Sequence, residues 1–148
     1  MKKIQDYIES CLFFNTNAFS RLLNKIAENE FKILKLSPAH GTLLLIVFDN
    51  PGINPKELSR HLHLTPSTIT RFVDALVKKD YVSKKSKGKS VFIHPTENGL
   101  SLKSDIAKAY RSLFDQYTLI LGKSQATLLS HEINKANSKI SNHSVPDG

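Results

Sequence analysis

Apolar residues recur at spacings of three, four and seven through residues 4–29: Ile4, Ile8, Leu12, Phe19, Leu22, Leu23 and Ile26. Tyr7, Cys11, Phe14 and Ala18 form an adjacent stripe. The pattern predicts one long helix with an apolar face wide enough to touch more than one neighbour. Ser37-Pro38 offers an N-cap followed by proline at the first helical position, and opens a run from Ala39 to Phe48 that stops at Asp49-Asn50-Pro51-Gly52. Asn54-Pro55 repeats the device, with Glu57 placed to close a capping box on a short helix ending near His63. Thr65-Pro66 opens a third helix, to about Lys79, and Thr96-Glu97 a fourth, to about Gly122. Leu102, Ile106, Tyr110, Leu113, Phe114 and Tyr117 share one side of that fourth helix. After a break at Gly122 and Ser124, Gln125 to Ile140 reads as a last helix, with Leu128, Leu129, Ile133, Ala136 and Ile140 in register. The tail from Ser141 to Gly148 reads as frayed.

Between Lys79 and Pro95 the period changes. Tyr81-Val82-Ser83 and Ser90-Val91-Phe92-Ile93 are rich in β-branched and aromatic residues, and they flank Lys84-Lys85-Ser86-Lys87-Gly88-Lys89. Two short strands around a glycine-containing turn predict a β-hairpin. Helix, short helix, helix, hairpin is the order of a winged helix-turn-helix. The fold class is therefore mainly α, with long flanking helices and a short two-stranded β-wing.

The helix from Pro66 divides cleanly by face. With Ser67 at zero and about 100° per residue, Ile69, Phe72, Val73 and Leu76 fall in one sector. Ser67, Thr70, Arg71, Asp74 and Lys78 fall opposite, within about 100° of one another. A helix that reads the major groove needs that division: one face anchors it and the other enters the groove. Arg71 can pair bidentately with guanine or phosphate, and Ser67, Thr68 and Thr70 are short donors and acceptors that permit close approach.

Charge strengthens this reading once it is located. The net charge is +8, yet residues 1–54 carry six basic and five acidic groups, as do residues 95–148. Residues 55–94 carry nine basic groups against Glu57, Asp74 and Asp80. An evenly solubilised surface would not concentrate the excess, whereas a polyanion site would. Lys84, Lys85, Lys87 and Lys89 crowd the predicted wing tip, where point charges can follow phosphates or approach the minor groove.

The stretch LSPAHGTLLLIVFDNPGINPKELSRHLHLTPSTITRFVDALVKKDYVSKK, followed by SVFIHPTENG, resembles the MarR family of bacterial transcription regulators. By motif the similarity covers roughly residues 30–105, and TPSTITRFVDALVKKDYV is its most specific piece. The resemblance implies a homodimer joined through N- and C-terminal helices, with the winged domain on a palindromic operator. It implies three segments: 1–36 and 96–148 for dimerisation and 37–95 for DNA. It places Ser67, Thr68, Thr70 and Arg71 at groove-facing positions and Lys89 at the place of a wing arginine. Two departures stand out. The family wing usually carries an aspartate–arginine pair near its tip, where this chain has Lys87-Gly88-Lys89, and the wing is shorter. The apolar faces of the terminal helices point to the same dimer, since a winged domain of about sixty residues is too small to cover them.

Other chemistry is sparse. Cys11 is the single cysteine, which excludes an internal disulfide and fits a reducing compartment. No signal peptide or membrane span is legible, so the expected location is cytoplasmic. One branch of the family senses peroxides through a first-helix cysteine supported by tyrosines, which makes Cys11 the candidate redox sensor. Asn15 and Lys25 stand where those tyrosines belong, and Tyr7 lies one turn before Cys11. The six histidines are scattered without a completing cysteine or carboxylate, so no metal site is expected. No P-loop, dinucleotide fingerprint or nucleophile elbow is present, so neither a cofactor nor an enzymatic activity is expected. The functional expectation is a DNA-binding repressor, open to a small-molecule effector. Its rival is a winged helix that docks another protein and no longer reads DNA, which the basic excess opposes.

Overall fold

Four helix starts are built from the side chains that precede them. The Ser37 hydroxyl accepts from the His40 N–H at 3.1 Å, Thr65 from Thr68 at 3.4 Å and Thr96 from Gly99 at 2.9 Å. Asn54 and Glu57 exchange both bonds of a capping box, at 2.9 and 3.3 Å. Proline follows Ser37, Asn54 and Thr65, where its missing N–H costs nothing. In a computed structural model describing residues 3–143, the helices are α1 (Ile4–Glu9), α2 (Leu12–Phe31), α3 (Pro38–Asp49), α4 (Pro55–Leu62), α5 (Pro66–Lys78), α6 (Glu97–Leu100), α7 (Lys103–Leu121) and α8 (Lys123–Asn142). A 3₁₀ turn (Lys32–Leu34) ends α2, and β1 (Val82–Lys87) and β2 (Ser90–Pro95) lie between α5 and α6. Among the described residues, no single helix is long and apolar enough to cross a membrane.

The structure corrects several expected boundaries. The predicted helix over 4–29 is two helices, interrupted at Ser10-Cys11. The Ser10 hydroxyl donates back to the Asp6 and Tyr7 carbonyls, and the Asn15 amide donates to the Glu9 carbonyl. These local side-chain bonds satisfy carbonyls that a continuing helix would have used. The helix expected from Thr96 to Gly122 is likewise divided, by a turn at Ser101-Leu102 that swings Leu102 and Ile106 onto the core. The lysines expected at the tip lie mostly within β1, leaving Gly88 and Lys89 as the turn. Gly88 has φ +63°, a conformation glycine adopts without steric cost. Of the expected frayed tail, Ser141 and Asn142 continue α8, while residues 144–148 lie outside the described residues.

The hairpin gains a third partner that alternation alone does not reveal. Ile53, in the α3–α4 loop, pairs with Ile93: Gly52 N–H donates to the Ile93 carbonyl at 2.8 Å, and Ile93 N–H to Ile53 at 2.9 Å. At the wing's exit, Tyr81 runs so close to Gly99 that any side chain there would overlap the Tyr81 carbonyl oxygen. That contact explains the glycine of the Thr96–Gly99 segment physically.

One core joins the winged helices to their flanks. Leu43, Leu44 and Val47 of α3 meet Leu58, Ile69, Val73, Leu76, Val82 and Ile93, all buried. Phe31 from α2 and Ile106 from α7 close the same cluster. In contrast, α1 buries nothing and α8 buries only Ala126. Leu12, Phe13, Leu119, Ile120, Leu128 and Ile140 are exposed.

Candidate nucleic-acid interface

The α5 faces are as the period predicts: Ile69, Val73 and Leu76 are buried, and Phe72 packs against the core at its edge. Ser67, Thr70 and Arg71 are exposed and Thr68 is half-buried. The cap organises the first turn further. Thr65 Oγ1 lies 3.2 Å from Ser67 Oγ and 3.0 Å from Thr68 Oγ1, and Thr68 Oγ1 accepts from Arg71 Nη2 at 3.5 Å. The Arg71 guanidinium is thus laid along the amino-terminal turn of α5. Thr70 is bound differently: its hydroxyl donates to the Pro66 carbonyl at 3.0 Å, so its remaining role is as an acceptor.

Strand register sorts the wing lysines, which spacing had left equivalent. Cross-strand partners share a face, and Lys84 is opposite Ile93 whereas Lys85 is opposite Phe92 and Lys87 opposite Ser90. Lys84 therefore lies on the inner face with buried Val82 and Ile93, and reaches Asp74 of α5 at 2.6 Å. Lys85 and Lys87 project from the outer face, and Lys89 sits in the turn. Arg71 of α5 and Lys85, Lys87 and Lys89 of the hairpin are all exposed, and the tip carries no carboxylate.

Sequence reasoning passed over His40. Its ring packs edge-on against Phe72 of α5, with centroids 4.7 Å apart. Burial holds its pKa below the ordinary histidine value, and the nearby Lys79 ammonium acts in the same direction. Folding therefore favours neutral His40. As pH falls through the ordinary histidine range, the unfolded chain takes up a proton that the folded chain refuses. The stability associated with the neutral ring is complete above that range, declines within it and levels off below the lowered folded pKa. Urea midpoints should fall between about pH 7.5 and about pH 5.5, and His40→Gln should show a smaller fall. An equal fall in the variant would remove His40 as a source of the pH dependence. No sequence signal marked this pair, because it depends on how α3 crosses α5.

Cys11 is the N-cap of α2 at the α1–α2 break, half-buried and outside the core cluster.

Residues 36–89 match the MarR family. Over 108 residues the chain is 24% identical to the HTH-type transcriptional repressor YetL of Bacillus subtilis, covering 72% of this chain and 60% of that protein. The chain thus spans about three fifths of that relative's length. Among solved structures, a cysteine-to-serine mutant of MarR from E. coli complexed with operator DNA matches with a TM-score of 0.80 at 18% identity, over 91% of this chain and 99% of that one. CouR of Rhodococcus jostii, bound to p-coumaroyl-CoA, matches with a TM-score of 0.82 at 17% identity, over 93% and 98%. The fold of both is the fold described above.

Proposed function

We propose, on the premise that this chain is a MarR-family transcription regulator through its residues 36–89, that it is a homodimeric repressor of transcription whose two α5 helices read a near-palindromic operator. The observation that carries the reading is the exposed polar face of α5, with Arg71 on its first turns, on a helix whose neighbouring hairpin carries exposed lysines. The repressor role is supported by the similarity to YetL, and the binding of duplex DNA by the likeness to an operator-bound MarR. Such a protein works by binding, in the cytoplasm where its DNA lies, and needs no catalytic group.

In this reading residues 37–95 hold the DNA surface, and residues 1–36 and 96–148 join the two copies. The exposed apolar side chains of α1, α2, α7 and α8 support that division, because large exposed apolar patches mark interaction surfaces. A two-fold axis buries the same surface on both chains. A small-molecule effector belongs to the proposal as well. CouR holds p-coumaroyl-CoA, and this chain has a groove of about 340 Å³ between α2, α7 and α8, lined by Phe19, Leu23, Tyr117 and Ile133. An effector acts only if its affinity differs between the two conformations it shifts.

Two measurements test the reading. Light scattering at micromolar concentration should give twice the chain mass, and a monomer would end the dimer proposal. Titration against duplex DNA should show affinity falling steeply with salt, by about 0.9 in the log–log slope per phosphate contact. A winged helix that only docks proteins would bind no duplex at any salt concentration in the titration.

A further inference from the structure

We infer that Asp74 and Lys84 form a strut that fixes the wing against the recognition helix, so that an acidic residue on the DNA side of α5 strengthens DNA binding. The inference rests on the DNA-binding reading above and assigns Lys84 a role different from its neighbours. Asp74 is the only acidic residue of α5, in a segment whose other charges on the exposed side are basic. Simple electrostatics would count it against a polyanion. The geometry gives it another role: Asp74 Oδ1 lies 2.6 Å from Lys84 Nζ, and among the described residues this is the only salt bridge between α5 and the hairpin.

Its position makes the contact matter. The inner face of β1 leaves the core immediately after Val82, which is buried. Lys84 is the next residue on that face, and Ser86 beyond it is exposed. The ion pair is therefore the outermost tie between the wing and the helix it flanks. Further out, Lys85, Lys87 and Lys89 stand on a two-stranded ribbon whose turn is Gly88-Lys89. No carboxylate in that tip can pair with them, so the tip has no internal ion pair to stiffen it. An isolated two-stranded ribbon is a weak support. The angle at which these lysines meet a backbone is then set at the base, by packing at Val82 and by the pair at Lys84. Asp74 lies three residues after Arg71, a spacing that allows the two to pair. Arg71 instead bonds Thr68, while Asp74 is held by Lys84. The strut thereby leaves the guanidinium to the DNA.

The test uses the full-length protein and a random-sequence duplex long enough for two half-sites. If Asp74 acts only as a charge, Asp74→Asn must tighten binding, and Lys84→Met must weaken it. With a strut, both substitutions weaken binding, by about two- to fivefold per wing, the range expected for a half-exposed ion pair. The double variant is then no weaker than either single one, because both remove the same contact. Exchanging the charges, Asp74→Lys with Lys84→Asp, keeps the net charge and should recover much of the lost affinity. Urea midpoints of each variant separate loss of fold from loss of the contact. Asp74→Asn binding as tightly as the parent, or more tightly, overturns the inference. So does additive weakening in the double variant. If the parent protein itself binds no duplex, the DNA-binding reading has failed, and the strut falls with it.

Discussion

If the exposed face of α5 reads an operator as proposed, replacing Arg71 with alanine should remove much of that sequence preference while leaving the protein's stability unchanged. The guanidinium is exposed and, among the described residues, makes no salt bridge and hydrogen-bonds only Thr68. Its removal therefore leaves no buried partner unsatisfied, and urea midpoints should match those of the parent. A bidentate arginine contact to a base contributes roughly 1–3 kcal/mol of discrimination, or about five- to 150-fold per half-site. In the proposed dimer the contact would be made twice, so the loss on a symmetric operator would be compounded. Arg71→Lys separates charge from geometry. It keeps the positive charge but not the planar fork, so it should retain affinity for random duplex and lose preference for the operator. Anisotropy titrations on operator and random duplexes at one salt concentration measure both quantities. If Arg71→Ala discriminates as well as the parent, the exposed face of α5 is not the reading face.

Phe31→Ala should be among the most damaging single substitutions for stability. Phe31 is the last residue of α2 and is fully buried. Its ring meets Tyr110 of α7 edge-on, with centroids 5.2 Å apart, and covers the backbone at Gly41 of α3 so closely that a methyl group on Gly41 would overlap it. Tyr110 in turn hydrogen-bonds Thr42 of α3 and lies 3.4 Å from the Pro38 carbonyl. One aromatic side chain therefore holds α2, α3 and α7 together. Truncating it removes the transferred area and leaves a cavity that three helices cannot all collapse into. The expected cost is about 3–5 kcal/mol, a large share of the roughly 5–15 kcal/mol that a domain has. The urea midpoint should fall steeply at unchanged m-value, measured at one protein concentration because the proposed dimer would contribute to stability. A loss below about 1 kcal/mol would mean that the junction is held elsewhere. Phe31→Leu, which keeps most of the volume, should lie well between the two.

The sequence by itself determined those features whose cause is local. Ser37, Asn54, Thr65 and Thr96 mark helix starts because each cap bonds a backbone N–H within three residues, and after the first three proline sets the first dihedral. The two faces of α5 are equally legible, because a helical period fixes which side chains share a side whatever the neighbours are. The charge excess of residues 55–94 needs no coordinates at all. Tertiary structure decided the rest, because the partners are distant in the chain. Four lysines that look alike became one inner charge, two outer ones and one in the turn only through the register of β1 against β2. Asp74 found Lys84 only because a hairpin folds back beside α5. Ile53 joined Ile93, and His40 joined Phe72, across elements whose crossing no local period encodes. Phe31 reads in the sequence as one more apolar residue near the end of a helix. What makes it a junction is the backbone it covers at Gly41 and the ring it meets at Tyr110.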